Sequence, residues 1–153
     1  MVLFTIAGGE VVPEIEMPTH GNILDLKQKI EEEMYVPVGR QTLLFNGMEL
    51  NNNYPIEYIY QEFVTLNLVV APLHGQPKIN VVVRSPSGEE YVRIKETASV
   101  ADLRRKIVRL WGIPNEKLIL RHLSKEMRDD LQLSAYYVTE GSEVEVTVTV
   151  DPR

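Results

Sequence analysis

The chain has 153 residues and a formal charge of −6, and its 44% hydrophobic content suffices for one buried core or two small ones. It has no cysteine, which excludes disulfides, thiolate metal sites and cysteine-nucleophile or thioester chemistry. No stretch approaches the roughly eighteen apolar residues of a membrane span, and MVLFTIAGGE lacks a basic segment ahead of an apolar run, so a soluble cytoplasmic or nuclear protein is expected.

The charge is uneven. Residues 1–72 hold three Lys/Arg against ten Asp/Glu, a balance of −7, whereas residues 78–153 hold thirteen against twelve, a balance of +1. Phosphate-backbone binding needs clustered cations, so the first half is a poor nucleic-acid binder.

In chain order, MVLFTIA is an apolar, β-capable run that turns at Gly8-Gly9 and returns as EVVPEIEMP, where Ile15 and Met17 alternate with Glu14 and Glu16. A hairpin is predicted. NILDLKQKI (22–30) then reads as a capped helix start, with Asn22 as N-cap and Asp25 in the first turn. Ile23, Leu26, Ile30 and Met34 form its core-facing stripe. Val36-Pro37 ends the helix, and short strands QTLLFNG and VTLNLVV follow around a tyrosine-containing turn.

APLHGQP (71–77) breaks every periodicity and reads as a semi-rigid linker. After it the order repeats: INVVVRS, a turn through Pro86-Ser87-Gly88, EEYVRIKE with Val92 and Ile94 on one face, then SVADLRRKI (99–107), a second capped start with Ser99 and Asp102. Its predicted stripe is Val100, Leu103, Ile107 and Leu110, ending at Gly112-Ile113-Pro114. KLILRHLS and EVEVTVTV complete the unit, with Val144, Val146, Val148 and Val150 on one side. The offset of 77 residues recurs at Asn22/Ser99, Asp25/Asp102, Ile30/Ile107, Val36-Pro37/Ile113-Pro114 and Ile56/Leu133. Agreement in register over that length marks two homologous α+β units, each with a helix on one face of a mixed sheet.

These residues resemble ubiquitin: the hairpin, the D-L-x-x-K-I helix, the Val-Pro or Ile-Pro after it, LLFNGMEL (43–50) and the final TLNLVV. The resemblance runs through both units and implies two ubiquitin-like β-grasp domains in tandem, at 1–71 and 78–150, joined by a linker at 72–77. It implies a non-catalytic adaptor of the ubiquitin–proteasome pathway that binds proteins carrying ubiquitin-binding or ubiquitin-like-binding domains, proteasome receptors included. Neither unit carries the paired-glycine tail through which ubiquitin is conjugated: Gly75 precedes Gln76-Pro77, and the second unit runs into Val150-Asp151-Pro152-Arg153. The alternatives are a modifier or precursor whose native C-terminus lies beyond Arg153, or a regulatory region of a larger protein.

Ubiquitin recognises partners through an apolar sheet face. By register the resemblance carries that face onto Leu44, Gly47, Met48, Asn67 and Val69, while the hairpin leucine that completes it falls at Gly8-Gly9. Its basic surround becomes Thr42, Met48 and Pro72, so electrostatic steering of an acidic helix is lost and apolar partners are expected. In the second unit the same positions read Arg121, Glu145 and Thr147, a charged face.

Other features have plainer readings. Arg104, Arg105, Lys106 and Arg109 form a solvated helix face on which Asp102 can pair with Lys106. Trp111 belongs to the core or helix–sheet boundary, and Tyr58 and Tyr136 are expected to tie their turns through their hydroxyls; Tyr60 and Tyr137 have no assigned place. Lys27 and Lys29 match ubiquitin lysines, and Met48 stands at the position of ubiquitin's most used chain-building lysine. His20, His74 and His122 share no metal-ligand spacing, and no phosphate loop or nucleophile–base pair stands out. A monomer without enzymatic activity, metal or cofactor is expected.

Overall fold

A computed structural model of the chain describes residues 1–59 and 61–149. Tyr60, the predicted strand residue Val150, the end of the second domain at that residue, and Asp151-Pro152-Arg153 lie outside the described residues. Two compact units meet between Pro72 and Leu73.

The first unit contains β1 (Val2–Ala7), β2 (Glu14–Met17), α1 (Ile23–Met34), β3 (Gln41–Phe45), β4 (Met48–Glu49) and β5 (Phe63–Val70), with sheet order β2-β1-β5-β3-β4. The second contains β6 (Lys78–Ser85), β7 (Gly88–Lys95), α2 (Val100–Trp111), β8 (Leu118–His122), β9 (Lys125–Glu126) and β10 (Glu143–Val148), in the equivalent order β7-β6-β10-β8-β9. In each unit the first and last strands pair in parallel and the others antiparallel, so the sheets are mixed.

Both helices begin through the predicted capping box. Asn22 Oδ1 accepts from the Asp25 amide at 3.0 Å while Asp25 accepts from the Asn22 amide at 2.9 Å; Ser99 and Asp102 repeat this at 3.1 and 3.3 Å. The isolated bridges Asn22 to Pro55 and Ser99 to Gln132 tie each helix start to the loop before the last strand. At the C-termini, Tyr35 (φ 62°) and Gly112 (φ 64°) adopt the left-handed conformation and donate back to Glu31 and Val108.

Strand alternation assigns the inner faces. Val2, Phe4 and Ile6, Leu43, and Val64, Leu66 and Leu68 are buried with the Ile23, Leu26, Ile30 and Met34 stripe. In the second unit Ile79, Val81 and Val83, Leu118 and Leu120, and Val144 and Val146 are buried with Val100, Leu103 and Ile107. Leu110, predicted to extend that stripe, is 47% exposed. The helix position equivalent to Met34 is the half-buried Trp111, because the stripe advances by four residues there and not three. Val148 keeps the predicted side of its strand, opposite the buried Leu118, but runs past the core and is exposed.

The interiors differ in their polar chemistry. Lys27, 6% exposed, donates from Nζ to Asn52 Oδ1 at 2.8 Å, and buried Gln41 donates to the Lys27 and Val36 carbonyls, both at 2.9 Å. Lys27 is thus held inside the fold, whereas Lys29 is exposed and pairs with Glu32. In the second unit Arg104 replaces Lys27, Asp129 replaces Asn52 and Leu118 replaces Gln41. Arg104 binds Asp129 at 2.9 Å and donates to the Asn115 and Leu118 carbonyls.

Candidate protein-binding face

With the helix on one side, the other side of each sheet faces solvent. In the first unit it carries Leu3, Thr5 and Ala7 of β1, Glu14 and Glu16 of β2, Thr42 and Leu44 of β3, and Phe63, Thr65, Asn67 and Val69 of β5. Register groups them into rows. Ala7 lies beside Asn67, Asn67 opposite Leu44, and Leu44 opposite Glu49; the next row pairs Thr42 with Val69. Leu44 is half-buried and Val69 is 50% exposed, so Leu44, Asn67 and Val69 share one accessible surface.

Gly47 and Met48 relate to it differently. Asn46 (φ 52°) and Gly47 (φ 82°) form the two-residue turn between β3 and β4, a positive-φ pair that an Asn-Gly sequence accommodates with little strain. Met48, 72% exposed, stands opposite Phe45, so it belongs to the row alternating with that of Leu44 and borders the face from the hairpin end. At Gly8 (φ 123°) an added Cβ would lie 2.5 Å from the Leu68 carbonyl oxygen. The first hairpin thus closes tightly on β5 where ubiquitin extends a leucine.

The face also contains an apolar site that the sequence reading missed. Phe63, 72% exposed, lies beside half-buried Leu3, and Leu3 faces Glu16. Period-2 alternation back from Val69 through Asn67 and Thr65 leads to Phe63, so the signal was present in FVTLNLVV.

In the second unit the row equivalent to Ala7–Asn67–Leu44–Glu49 is Arg84–Glu145–Arg121–Glu126, extended by Glu89 opposite Arg84. Charge alternates across all five strands. Arg84 reaches Glu89 and Glu143, both at 3.0 Å, and these carboxylates hold its guanidinium above its usual pKa. The adjoining row keeps an apolar side chain. Thr147 does replace Val69, but half-buried Ile119 replaces its partner Thr42, so the aliphatic side chain has moved to the neighbouring strand.

The remaining predicted features fall away from these faces. Asp102 pairs with Arg105, not Lys106, because its carboxylate is already turned to the Ser99 amide; that amide and hydroxyl, with Arg105, lower its pKa. Tyr136 is buried and its hydroxyl accepts from the Arg128 amide at 2.8 Å. Tyr58 has no such role: it is exposed and edge-on to Tyr54 at 6.0 Å, and the position equivalent to Tyr136 is the buried Ile59. His122 occupies the position of Phe45 and is buried, with Nδ1 2.8 Å from the Glu143 carbonyl oxygen. That carbonyl only accepts, so Nδ1 carries the proton; among the described residues Nε2 has no hydrogen-bond partner, and burial pushes the imidazole pKa below its usual value. Burial likewise raises the Tyr137 hydroxyl, which also has no hydrogen-bond partner among the described residues.

Two five-stranded mixed sheets of identical order, each packed on one capped helix, define a tandem of ubiquitin-like β-grasp domains. A family model described as the ubiquitin family matches residues 8–73 and again 79–151. The chain belongs to the ubiquitin family. Among solved structures it is similar to the ubiquitin-like domain of the Arabidopsis thaliana protein At2g32350, with 30% identity and a TM-score of 0.48, over 53% of this chain and 87% of that one. It is also similar to the N-terminal ubiquitin-like domain of the 4931431F19Rik protein, with 24% identity and a TM-score of 0.48, over 56% and 88% of the two chains. No helix among the described residues is long and apolar enough to cross a membrane.

Proposed function

We propose that this chain is a non-catalytic ubiquitin-like adaptor of the ubiquitin–proteasome pathway. Its first domain engages proteins that carry ubiquitin-binding or ubiquitin-like-binding domains, proteasomal ubiquitin receptors among them. The observation that supports this reading is the outer face, where Leu44, Asn67 and Val69 stand together and accessible. In the second domain the same row is occupied by alternating charges, whose desolvation opposes docking of an apolar partner.

Such a face gives an interface below about 1,200 Å² and correspondingly weak, transient contacts. The test is a titration of the labelled full chain with a ubiquitin-binding domain and with a proteasomal ubiquitin receptor, followed by NMR. Shifts are expected at Leu44, Asn67 and Val69, and Leu44→Ala with Val69→Ala is expected to weaken binding by at least about tenfold, or roughly 1.4 kcal/mol. Binding that survives the double substitution, or shifts confined to the second domain, would rule out this face.

A further inference from the structure

The sheet edges of the two domains are guarded unequally. At the outer edge of the first sheet, β2 has four residues, is flanked by Pro13 and Pro18, and turns Glu14 and Glu16 to solvent. A second copy paired antiparallel there would set Glu14 against Glu16. Short length, proline and like charge are the usual means of discouraging edge pairing. The equivalent edge, β7, runs eight residues with no proline.

The backbone of β7 is oriented to accept another strand. Val82 donates its amide to the Ser142 carbonyl at 2.9 Å, and Asn80 accepts from the Gly141 amide at 2.9 Å, so both residues direct these groups away from β7. Their partners across the β6–β7 ladder are Tyr91 and Arg93, which therefore form the non-hydrogen-bonded pairs and point their own N–H and C=O groups outward from the sheet. Glu89 and Lys95, two residues to either side, share that direction. Among the described residues no other backbone segment bonds the amides or carbonyls of Glu89, Tyr91 or Arg93.

The side chains along this edge are self-complementary. Glu89 and Glu90 occupy one end, Arg93 and Lys95 the other, and Tyr91 between them is 69% exposed on the outer face. We propose that β7 is a self-pairing edge through which two copies of the chain associate, with their strands antiparallel and Val92 opposite Val92. In that register Glu89 meets Lys95 of the second copy at both ends, and Tyr91 meets Arg93, an aromatic–cation contact. Tyr91 and Arg93 then lie in hydrogen-bonded pairs, and Glu89 faces Lys95, whose carbonyl already accepts from the Ala98 amide at 3.1 Å. Glu89 also keeps its bond to Arg84, so it sits between two cations. The contact is small, and the dimer belongs to the weak, concentration-dependent class.

The test is sedimentation velocity of the full chain over a concentration series reaching about 1 mM, with Trp111 fluorescence and circular dichroism as checks on folding. Wild-type protein is expected to shift from monomer to dimer with concentration. Tyr91→Pro removes an outward amide while leaving the β6–β7 ladder bonds intact, and is expected to be monomeric throughout. Should that variant fail to fold, the charge series decides: Lys95→Glu alone weakens association several-fold, and adding Glu89→Lys restores it. A wild-type chain that stays monomeric across the series overturns the proposal. So does a dimer indifferent to Tyr91→Pro, or to Lys95→Glu, as would be seen if another surface made the contact.

Discussion

Across the middle of the two sheets, equivalent positions read Ala7–Asn67–Leu44–Glu49 in the first domain and Arg84–Glu145–Arg121–Glu126 in the second. Within this row the strand pairings correspond, and the helix-side strand positions stay apolar in both apart from the buried Gln41 and His122. What changed is the face that folding leaves unconstrained. The first row, charged only at its Glu49 end, exposes side chains that gain by leaving water, whereas an alternating row of full charges must give up hydration to dock an apolar partner. The copies thus separate the demands of a β-grasp core from the demands of recognition.

The same contrast extends into the interiors, and substitutions there sharpen it. The largest effect is expected at Gly8, whose φ of 123° and approach to the Leu68 carbonyl leave no room for a Cβ. Gly8→Ala is expected to destabilise the first domain by about 3 kcal/mol, through backbone strain and a clash with main chain. At the equivalent position the second domain already carries Ser85, and Ser85→Ala should cost no more than about 1 kcal/mol. Trp111, the only tryptophan, lies in the second domain, so denaturation of the whole chain followed by both fluorescence and circular dichroism separates the two transitions.

Next in size is the half-buried cation. Arg104→Met leaves the Asn115 and Leu118 carbonyls and the exposed Asp129 carboxylate without their donor and is expected to cost the second domain about 2 kcal/mol. Lys27→Met deprives only the neutral Asn52 side chain, which is exposed to water, and is expected to cost the first domain about 1 kcal/mol. Equal losses in the two denaturation curves would contradict the distinction between a charged and a neutral acceptor.

A third effect runs in the stabilising direction. The turn after β8 places Leu123 (φ 50°) and Ser124 (φ 67°) where the first domain has Asn46 and Gly47. Left-handed backbone disfavours leucine and serine, so replacing Leu123 by Asn and Ser124 by Gly is expected to raise the second domain's stability by about 1 kcal/mol. No gain in the fluorescence-detected midpoint would mean that the Leu123 side chain compensates by packing.

The smallest contrast is in pH response. His122 is held neutral by burial, so its folded pKa lies below the unfolded one and the unfolded chain binds the extra proton. Its contribution is full above the usual imidazole pKa of 6.5 and is lost as pH falls below that value. His122→Phe, the residue type the first domain uses at Phe45, should flatten the acid side of the second domain's stability profile between about pH 7 and 5. An unchanged slope would show that carboxylates dominate there.

Much of this architecture could be read from the residues alone, because the signals were local. A cap residue, a first-turn aspartate and apolar spacings of three and four specify where each helix begins and which side it buries. The failures share a cause. Leu110 and Trp111 both satisfy a helical stripe, and only packing against the sheet decides between them. Tyr58 and Tyr136 both sit in a turn before a last strand, but the 77-residue register sets Tyr136 against Ile59, and only the tyrosine at that position reaches a backbone amide. The exchange of Thr42 and Val69 for Ile119 and Thr147 is invisible when each strand is compared separately, since it exists only across the pairing. Phe63 is legible from strand alternation but lies outside the positions that the resemblance to ubiquitin carries over.

The alternating charges of the second sheet also bear on how a tandem repeat avoids assembling with the wrong half of itself. Neighbouring homologous domains in one chain risk exchanging strands while folding. A β10 strand lodged between β1 and β3 would set Glu145 beside Ala7 and Leu44, with its charge unanswered. A β5 strand lodged between β6 and β8 would leave Arg84 and Arg121 facing Asn67. Either mispairing also parts Glu143 of β10 from Arg84, so the charges of the second face help each strand find its own domain.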